Sequence, residues 1–295
     1  MDNRTITSRT PVCAVVGDPV EHSLSPQIHN TAFSAVGEDM VYTAFHVKKG
    51  DLERALEGVR ALGIRGLSVT IPHKVDIIPF LDEIDPDAMS TGSVNTVVNS
   101  SGILTGYSTD GPGAVRALQS SKVSLGAKNI LVLGSGGAAR AISFALLAIE
   151  PAPRITILGI EFDELERLAS DLNMMEARIK SRQKVEVQCG QLTDASLSSA
   201  ISEADILVHS TPVGMSPHVD RSLVPPGLLR PDQVVFDVVY TPRETRLIRD
   251  AKNAGAKTVS GLGMFVNQAA IQFELWTGKK APLDVMTRAV EKALY

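Results

Sequence analysis

Three short polar runs early in the chain hold side chains able to grip a small polar molecule and move a proton. They are H-S-L-S-P at 22–26, V-T-I-P-H-K at 69–74, and V-N-T followed by G-Y-S-T-D between Val94 and Asp110. Hydroxyls, an asparagine amide, a lysine and an aspartate supply donors, acceptors and a general acid–base pair. Each run closes an apolar stretch that reads as a strand, and α/β folds assemble small-molecule sites at strand ends. Farther along, L-V-L-G-S-G-G-A-A-R at 131–140 has the form of a dinucleotide-binding turn. A polar pocket together with a nicotinamide site implies an alcohol–ketone oxidoreductase.

Within that turn Gly134, Gly136 and Ala139 fill G-x-G-x-x-A. The first glycine permits the bend and the second lets the backbone approach a pyrophosphate. The small third residue lets helix and strand pack closely, and the helix start offers free N–H groups. Ser135, Gly137 and Ala138 lie along the same turn. The following strand ends in I-L-G-I-E-F-D-E-L, with Glu161, Asp163 and Glu164 acidic and Arg167 the next base. An acid on the ribose hydroxyls favours NAD, whereas a 2′-phosphate needs a cation. The expected cofactor is therefore NAD, with Glu161 reading the ribose and NADP disfavoured by charge repulsion. The plainer alternative is that these acids open the next helix, where its dipole favours them.

Positioning these groups requires alternating strands and helices. Strands are expected at 12–16, 42–47 and 66–71, with a hairpin of 94–99 and 103–107 turning at Ser100, Ser101 and Gly102. A helix follows Pro26, and an amphipathic helix at 51–62 is expected to be capped by Asp51. G-P-G at 111–113 precedes a helix to about Ser121. Strands at 129–133, 155–158, 185–187, 206–209 and 234–238 then alternate with helical segments, the rhythm of a parallel doubly wound sheet. The helical end of the chain, from Gly261, is expected to return to the first domain. The expected fold is a two-domain α/β protein. Residues 1–111 with 261–295 form a mixed-sheet substrate domain, and 112–260 form a Rossmann-type nucleotide domain.

Composition narrows the class further. The 295 residues carry 29 basic and 33 acidic side chains, and aromatics make up 4%. Nothing there suggests nucleic acid or an anionic membrane as a partner. Cys13 and Cys189 each adjoin apolar runs and read as buried free thiols. Six scattered histidines without C-x-x-C or H-E-x-x-H lead to the expectation of no metal site. The start M-D-N-R-T-I-T-S-R-T lacks an apolar signal core, and no apolar run approaches the roughly 18 residues of a membrane span. A cytoplasmic protein is expected.

Taken together the motifs resemble the shikimate dehydrogenase and quinate/shikimate dehydrogenase family over essentially the whole chain. The resemblance rests on H-S-L-S-P-Q-I-H-N, V-T-I-P-H-K, S-V-N-T-V, G-Y-S-T-D-G, G-S-G-G-A-A-R, S-T-P-V-G-M, D-V-V-Y-T-P-R-E-T and G-M-F-V-N-Q-A-A. It implies that Lys74 and Asp110 carry the chemistry, the lysine relaying the hydroxyl proton and the aspartate holding it in position. Ser23 and Ser25 would bind a substrate carboxylate; Thr70, Asn95 and Gln268 would bond ring hydroxyls; Tyr240 would help close the pocket. Thr211 and Met215 would touch the ribose or nicotinamide side, with Gly261 and Met264 near the nicotinamide. His22 and His73 would shape their turns. The implied substrate is shikimate or quinate, and the implied assembly is a monomer or homodimer. A catalytically silent metabolite sensor is the alternative of a different class. The chain also departs from the pattern. Gly159, Ile160 and Glu161 replace N-R-T, Ser108 and His209 replace asparagines, and Thr241 stands where an asparagine is expected.

Overall fold

The structure, a computed structural model, describes residues 5–178 and 185–294. It divides into two compact units, 1–109 with 266–295 and 110–265.

The first unit is built on a mixed sheet. Its elements are β1 (Val12–Gly17), α1 (Ser25–Ala35), β2 (Val41–His46), α2 (Leu52–Ala61), β3 (Gly66–Val69), α3 (His73–Asp76), β4 (Glu83–Ile84), α4 (Pro86–Thr91), β5 (Thr96–Ser100) and β6 (Ile103–Tyr107). Strand order is β2-β1-β3-β5-β6-β4. β1 pairs parallel with β2 and β3, while β5 runs antiparallel to both β3 and β6. The near-continuous apolar run of β1 follows from its central place, with strands on both sides and both faces covered. The hairpin turns at Ser101 and Gly102, both at positive φ, as a two-residue turn matched to strand twist requires. Leu52, Leu56 and Val59 of α2, spaced to share one helix face, join Ala14, Val16, Leu67 and Val69 in one core. Asp51 does not cap α2. It ends a short 3₁₀ turn, and its carboxylate meets Arg54 instead.

The second unit holds α5 (Asp110–Ser120), β7 (Asn129–Leu133), α6 (Gly137–Leu147), β8 (Arg154–Gly159), α7 (Phe162–Arg178), β9 (Glu186–Gln191), α8 (Asp194–Glu203), β10 (Ile206–His209), β11 (Val234–Asp237), α9 (Arg246–Asn253) and β12 (Lys257–Ser260). Helix α10 (Gly261–Thr277) then leads to α11 (Leu283–Ala293). All strands of this sheet are parallel, in the order β12-β11-β10-β7-β8-β9. That is the doubly wound Rossmann order, reversing direction beside β7. Two strand expectations need correction. β12 is unannounced by its sequence, because only Val259 of its four residues is buried. β9 extends to Gln191, and its polar alternation suits an edge strand. The G-P-G run lies inside the first turn of α5 rather than before it, where proline is tolerated. Gly111 is there because a Cβ would run into the Ala141 carbonyl of α6. Burial pushes the Cys13 thiol far up and the Cys189 thiol up to about 11, so both are poor nucleophiles.

Two positions in the first unit make its packing testable. A Cβ on Gly66 would fall within the Trp276 indole, whose Nε1 donates to the Val97 carbonyl at 3.0 Å. Gly66→Ala is expected to cost about 1–3 kcal/mol by overpacking, read from the urea midpoint. His29 is fully buried, its ring stacked on Tyr42 at 4.5 Å and tilted against Trp276 at 5.0 Å. Burial holds its pKa down to about 3, against about 6.5 in the unfolded chain. The unfolded state therefore binds the extra proton in acid. This stabilising contribution is complete above pH ~6.5 and is lost as pH falls toward ~3, at no more than about 1.4 kcal/mol per pH unit. Urea unfolding between neutral and acid pH should show a shallower slope for His29→Gln than for the natural chain.

Candidate active site

Strand direction gathers the polar runs of the first unit at one rim of its sheet. β1 and β3 finish at this rim, and β5, running the other way, begins there. Main-chain bonds hold the segments in place. Thr70 N donates to Val16 O at 3.0 Å, Val69 N to Asn95 O at 2.8 Å, and Val94 N to Lys74 O at 2.8 Å. Thr70, Lys74 and Asn95 are thus brought together by backbone geometry. Lys74 sits on the single turn α3 and is half-buried. Gly17 has no room for a Cβ because the Thr70 methyl occupies that space. His73 is buried, and its Nε2 donates to the Val47 carbonyl at 2.6 Å, which sets the turn carrying Lys74. His22 is exposed.

Asn95 does more than line the rim. Its Nδ2 donates to Thr109 Oγ1 at 2.9 Å, and its Oδ1 accepts from Thr109 N at 2.8 Å and Thr96 Oγ1 at 2.9 Å. The amide therefore grips the residue immediately before Asp110. Asp110 opens α5 and is buried, at the end of a helix whose dipole favours a carboxylate. Ser25 is buried and begins α1, with Pro26 in the first turn; Ser23 Oγ accepts from Ser25 N at 3.3 Å. Gln268 is buried on α10.

Behind this rim lies a buried relay with no local sequence signature. Tyr42 Oη donates to Ser68 Oγ at 2.6 Å, Ser68 Oγ to Gln272 Oε1 at 2.8 Å, and Gln272 Nε2 to Thr96 Oγ1 at 2.9 Å. Thr96 belongs to the V-N-T run, but Tyr42, Ser68 and Gln272 are each set apart in a largely apolar strand or helix. That isolation is the one signal by which sequence could have found them, since a buried polar group needs a partner.

In the second unit the glycine turn has the conformation its spacing implies. Gly134 lies at φ 116°, and its N–H donates to Leu158 O at 2.8 Å. Gly136 precedes α6 in an extended conformation, and a Cβ there would meet nothing within 4 Å. An open backbone at a helix start suits a phosphate, so the residues present fit a dinucleotide. Ser135 Oγ donates to Glu164 Oε2 at 3.2 Å, Gly137 begins the helix and Ala138 follows it. Thr211 has its hydroxyl turned inward, 2.5 Å from His209 Nε2, whereas Met215 is exposed. Gly261 makes room for the Val238 carbonyl, and Met264 is packed into the core of this unit. Tyr240 stacks on Phe265 at 4.7 Å, and burial raises its phenol pKa. Among the described residues no cluster of His, Cys, Asp and Glu could hold a metal, and no helix is long and apolar enough to cross a membrane.

Two family models match the chain. The shikimate dehydrogenase substrate binding domain covers residues 15–97, and the shikimate 5′-dehydrogenase C-terminal domain covers 261–291. A Methanopyrus kandleri protein named shikimate dehydrogenase (NADP(+)) is 45% identical over 289 residues, covering 97% of each chain. The chain belongs to the shikimate dehydrogenase family. A crystal structure of a shikimate dehydrogenase in complex with NADP+ superposes with a TM-score of 0.90 at 39% identity, covering 99% of this chain and 98% of that one. The shikimate 5-dehydrogenase of Listeria monocytogenes, in complex with shikimate and NAD, gives 0.88 at 36% identity, over 97% and 98%.

These relatives overturn the expectation that NAD is preferred and NADP disfavoured. The physical error lay in the weight given to Glu161. Its side chain is exposed and its carbonyl accepts from Leu165 N, so it opens α7 as the plainer alternative held.

The grip on Thr109 can be measured. Asn95→Ala removes every side-chain bond of the amide and leaves the buried Thr109 N–H without its acceptor. A loss of about 1–3 kcal/mol is expected in urea unfolding, and an unchanged midpoint would show that the amide holds nothing.

Proposed function

We propose that this chain catalyses reversible hydride transfer between shikimate and 3-dehydroshikimate, with NADP(H) as the redox partner. The observation that carries the reading is the single rim holding Thr70, Lys74 and Asn95, with the Asn95 amide fastening the segment that leads into Asp110. Ser23 and Ser25 bind the carboxylate through hydroxyls, which donate hydrogen bonds without adding charge. Thr70, Asn95 and Gln268 orient the ring hydroxyls, and Tyr240 closes the pocket. Lys74 takes the proton of the reacting hydroxyl and returns it in the reverse direction. Asp110 bonds the same hydroxyl and keeps the lysine in register, so that proton and hydride leave together. The bound nucleotide supplies the two-electron hydride acceptor, and the Gly134–Ala138 turn with the α6 N-terminus holds its phosphates.

Initial rates with shikimate and with quinate, each paired with NADP+, test the reading through the absorbance of the reduced nucleotide. Shikimate is expected to turn over faster than quinate. No turnover with either, although the ligands bind, would overturn the assignment in favour of a metabolite sensor. Lys74→Ala is expected to lower turnover on the order of a hundredfold while circular dichroism and shikimate binding are retained. Near-normal turnover in that variant would remove Lys74 from the mechanism.

A further inference from the structure

The second unit contains a buried ionisable cluster that takes no part in the chemistry described above. His209 and Asp237 end adjacent parallel strands at the same level of the sheet, as paired residues of β10 and β11. Both are buried, at 2% and 0% exposure. His209 Nδ1 lies 2.8 Å from Asp237 Oδ1, and because a carboxylate only accepts, Nδ1 carries the hydrogen. Two further donors complete the carboxylate: Val239 N–H at 3.0 Å on the same oxygen, and Thr245 Oγ1 at 2.6 Å on the other. Thr245 is itself the cap of α9, accepting from Ile248 N. The carboxylate is therefore held by three donors, and it sets both the tilt and the tautomer of the imidazole.

The other ring nitrogen points at the nucleotide turn. With the hydrogen on Nδ1, His209 Nε2 accepts from Thr211 Oγ1 at 2.5 Å, and Thr211 Oγ1 in turn accepts from Val213 N at 3.3 Å. With both interactions made, the Thr211 side chain has one orientation, its hydroxyl inward and its methyl toward Gly134. A Cβ on Gly134 would lie 3.2 Å from that methyl and 3.1 Å from Ser210 Oγ. Ser210 in turn is tied to the end of β7, its Oγ donating to Leu133 O at 2.7 Å. The wall against which Gly134 makes its bend is thus the Ser210–Thr211 segment.

We propose that His209 is a positioning residue of the nucleotide site: clamped by Asp237, it locks Thr211, and Thr211 sets the wall on which the Gly134 turn is formed. The role needs an imidazole's reach, since the ring spans from a carboxylate on the neighbouring strand to a hydroxyl two residues along its own chain. This inference rests on the reading of the glycine turn as an NADP+ site.

Calorimetric titration of the full chain with NADP+ tests it, with shikimate binding measured alongside. Thr211→Val keeps the methyl and removes the hydroxyl; His209→Leu removes the ring. Each is expected to weaken NADP+ about tenfold, the size expected for losing one buried hydrogen bond from a preorganised site, with shikimate affinity within about twofold. The double variant should be no weaker than either single one, because both break the same link. NADP+ affinity unchanged in Thr211→Val, or falling in step with shikimate affinity, would overturn the relay. Should His209→Leu not fold, with Asp237 left short of a donor, an unchanged NADP+ affinity in Thr211→Val still overturns the relay. Failure of the natural chain to bind NADP+ would overturn the nucleotide reading and the relay with it. A natural chain that binds beside variants that bind equally well would overturn the relay only.

Discussion

The antiparallel pairing of β5 with β3 is the constraint on which the first unit's site depends. If β5 ran parallel to its neighbour, Asn95 would start at the opposite rim from Thr70. Reversal of the strand places the beginning of β5 beside the end of β3, and the bond from Val69 N–H to the Asn95 carbonyl fixes the register. A slip of one residue would turn every side chain to the other face. Register therefore decides whether Asn95 can reach Thr109, and hence how the chain enters Asp110.

The same economy appears in the second unit, where absent side chains matter as much as present ones. Gly111 lets α5 lie against the Ala141 carbonyl, and Gly261 lets the chain pass the Val238 carbonyl. Gly136 leaves a helix start open, and Gly134 bends at a φ that a side chain would strain. Two of these glycines belong to a motif readable in sequence. The other two answer to neighbours far away in the chain, and nothing local distinguishes them from turn glycines.

Polar groups divide in a similar way. Ser23, Ser25, Thr70 and Lys74 sit in dense polar runs that stand out against their apolar flanks. Tyr42, Ser68 and Gln272 are set apart in largely apolar elements, each satisfied by a partner from another element. His209 was visible only as a departure from an expected asparagine; its bond to Asp237 becomes apparent once β10 and β11 are paired. The acidic cluster after β8 marks the reverse failure. Its charges were plain, but that Glu161 stands exposed at the opening of α7 was not.

By itself the sequence determined the two kinds of sheet, the glycine turn and the polar runs at strand ends. These follow from local periodicity and from the steric demands of single residues, both of which act over a few positions. Only the tertiary structure decided which rim each run occupies, that Asn95 holds Thr109, that β12 joins the second sheet, and that Glu161 faces water. Those outcomes depend on strand register and on burial, which arise when distant segments pack and so leave no mark within any one of them.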